Sequence, residues 1–181
     1  MRIISGTYKG RRITAPKKLP VRPTTDMAKE ALFNILNNRY YFEGLTVLDL
    51  FAGTGNISYE FASRGAGPIT AVDADYNCVK FIGKTTEELG FPISATRADV
   101  YQYLERITTT YDVIFADPPY NMPEEDFGKI AEIIFRKNLL KEEGVLVIEH
   151  GKETDLSAID HFDESRRYGG SVFSFFRAED E

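Results

Sequence analysis

From residue 45 onward the hydrophobic positions alternate between two textures. Short continuous apolar runs at Thr46 to Leu50, Ile69 to Asp73, the weaker Ile93 to Arg97, Tyr111 to Ala116 and Gly144 to Glu149 read as strands buried on both faces of a parallel sheet. Between them, apolar residues at helical spacing predict helices from about Ile57 to Ser63, Tyr76 to Leu89, Val100 to Ile107 and Glu124 to Lys137. The last helix has acids in its first turn and Arg136-Lys137 in its last, the order the helix dipole favours. Phe162 to Arg167 and Val172 to Phe176 flank Gly169-Gly170 and predict a closing antiparallel pair. The alternation specifies a doubly wound α/β domain, with a mostly parallel seven-stranded sheet and an antiparallel closing strand.

Residues 1–20 do not share this rhythm. They read as a short hairpin or irregular arm, punctuated by Gly6 and Gly10 and ended by Pro16 and Pro20. Thr24 or Thr25 then caps a helix that carries Ala31, Leu32, Ile35 and Leu36 at helical spacing. Residues 1–41 are therefore expected to form a basic arm with a leading helix, and residues 42–181 the α/β domain.

Charge changes the picture. The chain has a net charge of −6, which on its own argues against a polyanionic partner. Its first 25 residues, however, hold Arg2, Lys9, Arg11, Arg12, Lys17, Lys18 and Arg22 and no acid, leaving 15 basic against 28 acidic residues elsewhere. That segregation predicts an arm that binds phosphates on a body that repels them. No apolar run is long enough to cross a membrane, and the start lacks a secretory core. Cys78 is the sole cysteine, which excludes an internal disulfide, so a cytoplasmic protein is expected. His150 and His161 are read as strand-end and surface residues. Neither forms metal-ligand spacing with Cys78, and no metal is expected.

Two segments carry chemistry. After the strand ending at Ala116 comes Asp117-Pro118-Pro119-Tyr120. Consecutive prolines stop the ladder and stiffen a loop at the carboxyl end of a strand, where open α/β sheets bind ligands. Asp117 and the Pro118 carbonyl offer acceptors, and Tyr120 offers a flat face. Together they suit a planar amine such as the exocyclic NH2 of a nucleobase. The plain alternative makes Asp117 a helix cap and Tyr120 a core residue. The second segment, Asp49-Leu50-Phe51-Ala52-Gly53-Thr54-Gly55-Asn56, is not the G-x-G-x-x-G of a pyrophosphate site. An acid ahead of a two-glycine loop suits S-adenosylmethionine better, since its ammonium and ribose need acceptors. Asp73 ends the next strand, where it can accept from ribose hydroxyls, and Asp99 follows the third, where it can accept from the adenine amine.

In that order these motifs resemble the class I S-adenosylmethionine-dependent methyltransferases that act on amino groups. The start Met1-Arg2-Ile3-Ile4-Ser5-Gly6, the segment Lys9-Gly10-Arg11-Arg12, and Arg22-Pro23-Thr24-Thr25-Asp26 with Glu30-Ala31-Leu32-Phe33-Asn34 are similar, more narrowly, to the bacterial RsmD family. The match spans essentially the whole chain. Ser5 departs from the glycine more common there, and Arg166 to Ser171 match loosely. The resemblance implies a Rossmann-like fold and methylation of guanine N2 in 16S ribosomal RNA, on the RNA or an assembling small subunit; the oligomeric state stays open, with a monomer expected. It implies a cofactor site at Asp49, Phe51, Ala52, Gly53, Thr54, Gly55, Asp73, Ala74, Asp99 and Val100. Catalysis would fall to Asp117, Pro118, Pro119 and Tyr120, and RNA binding to Arg2, Lys9, Arg11, Arg12, Arg22 and Thr24.

Other readings fit less well. A DNA adenine-N6 methyltransferase would use the same Asp-Pro-Pro-Tyr chemistry on a flipped base, but about forty amino-terminal residues are too few for a domain that reads duplex sequence. Protein glutamine methyltransferases tend to carry Asn where Asp117 stands. A non-catalytic RNA-binding module has no need of the intact acids. Under the preferred reading, deleting residues 1–20 is expected to weaken RNA binding and leave cofactor affinity almost unchanged.

Overall fold

The computed structural model describes residues 1–21 and 24–178. In chain order the elements are α1 (Asp26–Asn37), β1 (Val47–Leu50), α2 (Asn56–Ser63), β2 (Ile69–Asp73), α3 (Tyr76–Leu89), β3 (Ile93–Arg97), α4 (Val100–Arg106), β4 (Tyr111–Ala116), α5 (Glu124–Arg136), β5 (Leu140–Gly151), β6 (Phe162–Tyr168) and β7 (Ser171–Phe176). Strand β5 begins earlier than its apolar run. Its exposed Lys141-Glu142-Glu143 carry no hydrophobic signal, and Leu140 joins the ladder opposite Tyr111 across a register shift.

The sheet runs β3-β2-β1-β4-β5-β7-β6. Strands β1 to β5 are parallel to their neighbours within that group, and β7 is antiparallel to both β5 and β6. From β1 the chain builds outward through β2 and β3, then returns to lay β4 on the other side of β1. Loops leaving β1 and β4 therefore diverge at their carboxyl ends and open a crevice. Successive strand residues face opposite sides, so Val47, Val113, Phe115, Val145 and Val147 pack with Leu32, Phe33, Phe61 and Ile82 of α1, α2 and α3. Leu48, Leu50, Ile114 and Ile148 pack with Leu104, Phe127, Ile130 and Ile134 of α4 and α5.

The arm is built into this core. Ile3 and Ile13 bury in the same cluster as α1 and α2, and the Ile3 N–H bonds the Arg11 carbonyl at 2.9 Å across the hairpin. Gly6 has φ +90°, and a Cβ there would lie 1.9 Å from the Ser63 carbonyl oxygen, so only glycine allows this approach to α2. The carboxylate of Glu60, fully buried on α2, accepts from the backbone N–H groups of Ile4 (2.8 Å) and Ser5 (3.1 Å). It also pairs with Lys29 of α1 at 3.3 Å and Arg64 at 2.9 Å. Lys29 in turn donates to the Arg2 carbonyl (2.5 Å) and to Asn56 Oδ1 (2.8 Å). The expectation that residues 1–20 can be removed without touching the cofactor site is therefore corrected. Their loss would strip two donors from a buried carboxylate and expose the core that Ile3 and Ile13 cover.

Candidate active site

A cavity of about 500 Å³ opens at the carboxyl ends of β1, β2 and β4 and beside the loop after β3. Asp49, Phe51, Ala52, Gly53, Thr54, Asp73, Ala74, Asp99 and Val100 line one part of it, and Asp117, Pro118, Pro119 and Tyr120 another. Two separate motifs of the sequence thus share one space. Gly55 is not on the wall. It sits at φ 86° as the residue before α2 and turns the chain into that helix.

Local chemistry explains the shape of the loop after β1. Phe51 has a left-handed φ of 56°, uncommon without glycine and typical of a backbone held in place by its surroundings. The Gly53 N–H donates to Asp73 Oδ2 at 2.9 Å, and Asp73 Oδ1 accepts from the Asp75 N–H at 2.8 Å. Asp73 therefore braces the loop as well as lining the cavity. Asp49 is almost wholly buried and accepts from the Ser58 hydroxyl at 2.7 Å. Burial, reinforced by the charge of Asp73, pushes its carboxyl up to about 7. Asp99 caps α4 by accepting from the Gln102 N–H at 3.0 Å while also lining the cavity, so capping and lining are not alternatives here.

Asp117 follows β4 with its N–H 3.3 Å from the Leu50 carbonyl. The residue that caps α5 is Pro123, with no side-chain cap bond, which removes the capping explanation for Asp117. Tyr120 is 37 % exposed rather than core, and its hydroxyl lies 3.4 Å from Ser171 Oγ.

Several wall residues have no signal in the local sequence. Pro20 and Val21 of the arm line the cavity, and a Cβ on Gly53 would lie 3.0 Å from Val21 Cγ1. Asn56, Ile57, Asp75 and Phe115 line it too. Asn56 could have been suspected, because it opens the helix directly after the glycine loop.

The described basic residues of the arm stand apart from the cavity. Lys9, Arg11 and Arg12 are exposed and none is on its wall. Arg2 is exposed and paired with Asp26 at 3.3 Å, and Arg22 lies outside the described residues. Thr24 is buried, lines the cavity, and donates its hydroxyl to Glu149 Oε2 at 2.8 Å. His150, at the end of β5, is buried with Nε2 2.7 Å from Ser174 Oγ. The surface position expected for His161 is corrected: it is half-buried, stacked on Phe135 at 4.1 Å between ring centroids. Among the described residues, no helix is long and apolar enough to cross a membrane.

Among the described residues the wall contains five aspartates and no lysine or arginine. Such a set of acceptors suits a ligand with a cationic end and hydroxyls, and it is poorly suited to a pyrophosphate. S-adenosylmethionine meets that description, with its ammonium, sulfonium and ribose.

Comparison with known proteins adds an independent line. The family described as Conserved hypothetical protein 95 matches residues 1–177. The YlbH protein of Bacillus subtilis (strain 168) is 36% identical over 161 residues, covering 86% of this chain and 85% of its own. The ribosomal RNA small subunit methyltransferase D of Escherichia coli (strain K12) is 31% identical over 150 residues, covering 82% of this chain and 71% of its own. Among solved structures, a hypothetical protein of Thermus thermophilus superposes with a TM-score of 0.85 at 25% identity, covering 98% of this chain and 99% of that one.

Proposed function

Because the chain belongs to the Conserved hypothetical protein 95 family of RsmD-like, S-adenosylmethionine-dependent methyltransferases, we propose that it methylates N2 of a guanine in 16S RNA of the small ribosomal subunit. The observation that carries this reading is the meeting of Asp117-Pro118-Pro119-Tyr120 with the acidic glycine loop in one cavity.

S-adenosylmethionine, when bound, supplies an electrophilic methyl carried on a sulfonium. Asp49 would hold its ammonium, Asp73 its ribose hydroxyls and Asp99 its adenine amine, with the backbone from Phe51 to Thr54 close against it. Guanine N2 is a poor nucleophile, because its lone pair is delocalised into the ring. Asp117 and the Pro118 carbonyl accept its two hydrogens, turn the lone pair out of that plane and stabilise the positive charge that grows on nitrogen. The two prolines keep those acceptors rigid, so alignment is largely in place before the base arrives. Tyr120 stacks on a base splayed out of a single-stranded loop, a contact worth roughly 1–3 kcal/mol.

The raised carboxyl of Asp49 gives this scheme a pH signature. Ammonium binding requires the ionised form, and without ligand Asp49 holds its proton up to about pH 7. Cofactor affinity should therefore rise with pH from about 6 to about 7.5 and fall again as the ligand's own α-amino group loses its proton near pH 8. Calorimetry in buffers of different ionisation enthalpy should record proton release near pH 6.5. Asp49→Asn should bind more weakly at the optimum and lack the rise.

Lys9, Arg11 and Arg12 would bind flanking phosphates, which sets position without reading sequence. Replacing all three by Ala should weaken RNA binding and reduce the slope of log affinity against log salt by about 2. Cofactor affinity should not move, since none of the three lines the cavity. An unaltered slope would mark the arm as a solvated surface.

The deciding experiment is mass spectrometry of ribosomal RNA and genomic DNA from a deletion strain, paired with radiolabelled methyl transfer to purified small subunits. Loss of one N2-methylguanine from 16S RNA is expected, and its position maps the target. Loss of N6-methyladenine from DNA with ribosomal RNA unchanged would overturn the reading.

A further inference from the structure

The acids proposed to hold the cofactor stand at β1, β2 and β3, on one side of β4 in the sheet. On the other side lies β5. Its register ends with Ile148 opposite Ala116, and Glu149 is the next residue of β5, as Asp117 is the next residue after β4. Glu149 follows the face of Val145 and Val147 and is fully buried. One of its oxygens, Oε2, accepts the Thr24 hydroxyl at 2.8 Å, and Oε1 has no hydrogen-bond partner among the described residues.

With Glu149 ionised, this contact sets the direction in which the Thr24 hydroxyl points its proton. A carboxylate only accepts, and a hydroxyl has one proton and two lone pairs. With its proton committed to Glu149, Thr24 has only lone pairs left for anything else. Thr24 lines the same cavity as Asp117 and Tyr120. The wall that carries Asp117 and Tyr120 therefore also carries Thr24 as an acceptor. Guanine places two kinds of donor side by side on one edge, the N2 amine and N1–H. Adenine puts an acceptor, its own N1, next to its amine.

We propose that Thr24 is a specificity residue that accepts the N1–H of the target guanine, and that Glu149 is a positioning residue that keeps the Thr24 hydroxyl an acceptor. The proposal rests on the guanine-N2 reading above and deepens it. It also supplies a reason for a pocket with Asp-Pro-Pro-Tyr chemistry to refuse adenine, since two acceptors would then face each other without a proton between them.

The test uses small subunits reconstituted with ligated 16S RNA that carries guanine or 2-aminopurine at the mapped position. 2-Aminopurine keeps the N2 amine but has a bare N1 in place of N1–H. The wild-type protein should prefer guanine by roughly 10- to 100-fold in kcat/KM. Thr24→Val should bring that preference to within about threefold, mainly by losing rate on guanine. Glu149→Gln should act differently. Its amide can donate to Thr24 and free the hydroxyl proton, so turnover of 2-aminopurine should rise above wild type while turnover of guanine falls.

A purely structural role would lower both substrates together and leave their ratio alone. An unchanged ratio in both variants, with melting temperature and cofactor affinity preserved, would overturn the proposal. Equal wild-type rates on the two bases would overturn it as well while leaving the guanine-N2 reading intact. If the wild-type protein methylates neither base at that position, the underlying reading fails instead.

Discussion

Asp117→Ala should lower methyl transfer by roughly 10²- to 10⁴-fold while cofactor affinity stays within a few-fold of wild type. The size of the effect follows from how little else can activate the amine. Guanine N2 lacks a free lone pair, so its reactivity depends on acceptors that bind its hydrogens and share the charge developing on nitrogen. Asp117 directly follows β4, its N–H reaching back to the Leu50 carbonyl, and two prolines come after it. That backbone cannot slide to offer a substitute acceptor. The cofactor should be spared because the acids proposed to hold it, Asp49, Asp73 and Asp99, belong to other strand ends, and Asp73 braces the glycine loop by accepting from the Gly53 and Asp75 N–H groups. Asp117→Asn should fall between the two, since it keeps one acceptor oxygen but loses the charge. Single-turnover rates measured with saturating cofactor separate chemistry from binding. Equal turnover by Asp117→Ala would remove the residue from the mechanism.

Glu60→Leu should cost about 3–5 kcal/mol of stability, read as a shift of the denaturation midpoint at constant slope. The Lys29 ammonium has no exposure to solvent. Burial lowers its pKa, and the neighbouring Glu60 carboxylate opposes that shift. Without Glu60 the lysine would be left charged and unpaired in the core or forced to lose its proton. Ile4 and Ser5 would lose the acceptor that holds the arm on α2. The double variant Lys29→Met with Glu60→Leu should regain only the part due to the lone buried charge, because the Ile4 and Ser5 N–H groups still lack their acceptor. The chain of contacts continues to the active site. Lys29 also fixes Asn56 on the cavity wall, so Glu60→Leu should weaken cofactor binding even at temperatures where the protein is folded. If stability falls by less than about 1 kcal/mol, the arm is a surface attachment rather than part of the core.

The strands and most helix limits were legible in the sequence because they are local. An apolar run such as Val113-Ile114-Phe115 needs burial on two faces, and only a covered parallel sheet offers that. Asp117-Pro118-Pro119-Tyr120 was legible for the same reason, since proline acts on its own residue and its neighbours and so marks a strand end and a rigid loop. The polar start of β5 was not, because Lys141 to Glu143 fall in the register shift between Leu140 and Val145 and bury nothing.

What the tertiary structure alone decided is the pairing of polar groups far apart in the chain. Glu60 receives Ile4 from 56 positions away, Glu149 receives Thr24 from 125, and Pro20 and Val21 become cavity wall. In sequence, Lys29 and Glu60 look like any surface lysine and glutamate, and Thr24 like any residue at a helix start. Local periodicity states which face a residue occupies but not which distant segment covers that face. A buried polar side chain takes its meaning from the group that covers it. The arm, with no periodicity of its own, could therefore be read from its charges as a tether for RNA, while its part in closing the core and lining the cavity became visible only once the chain was folded.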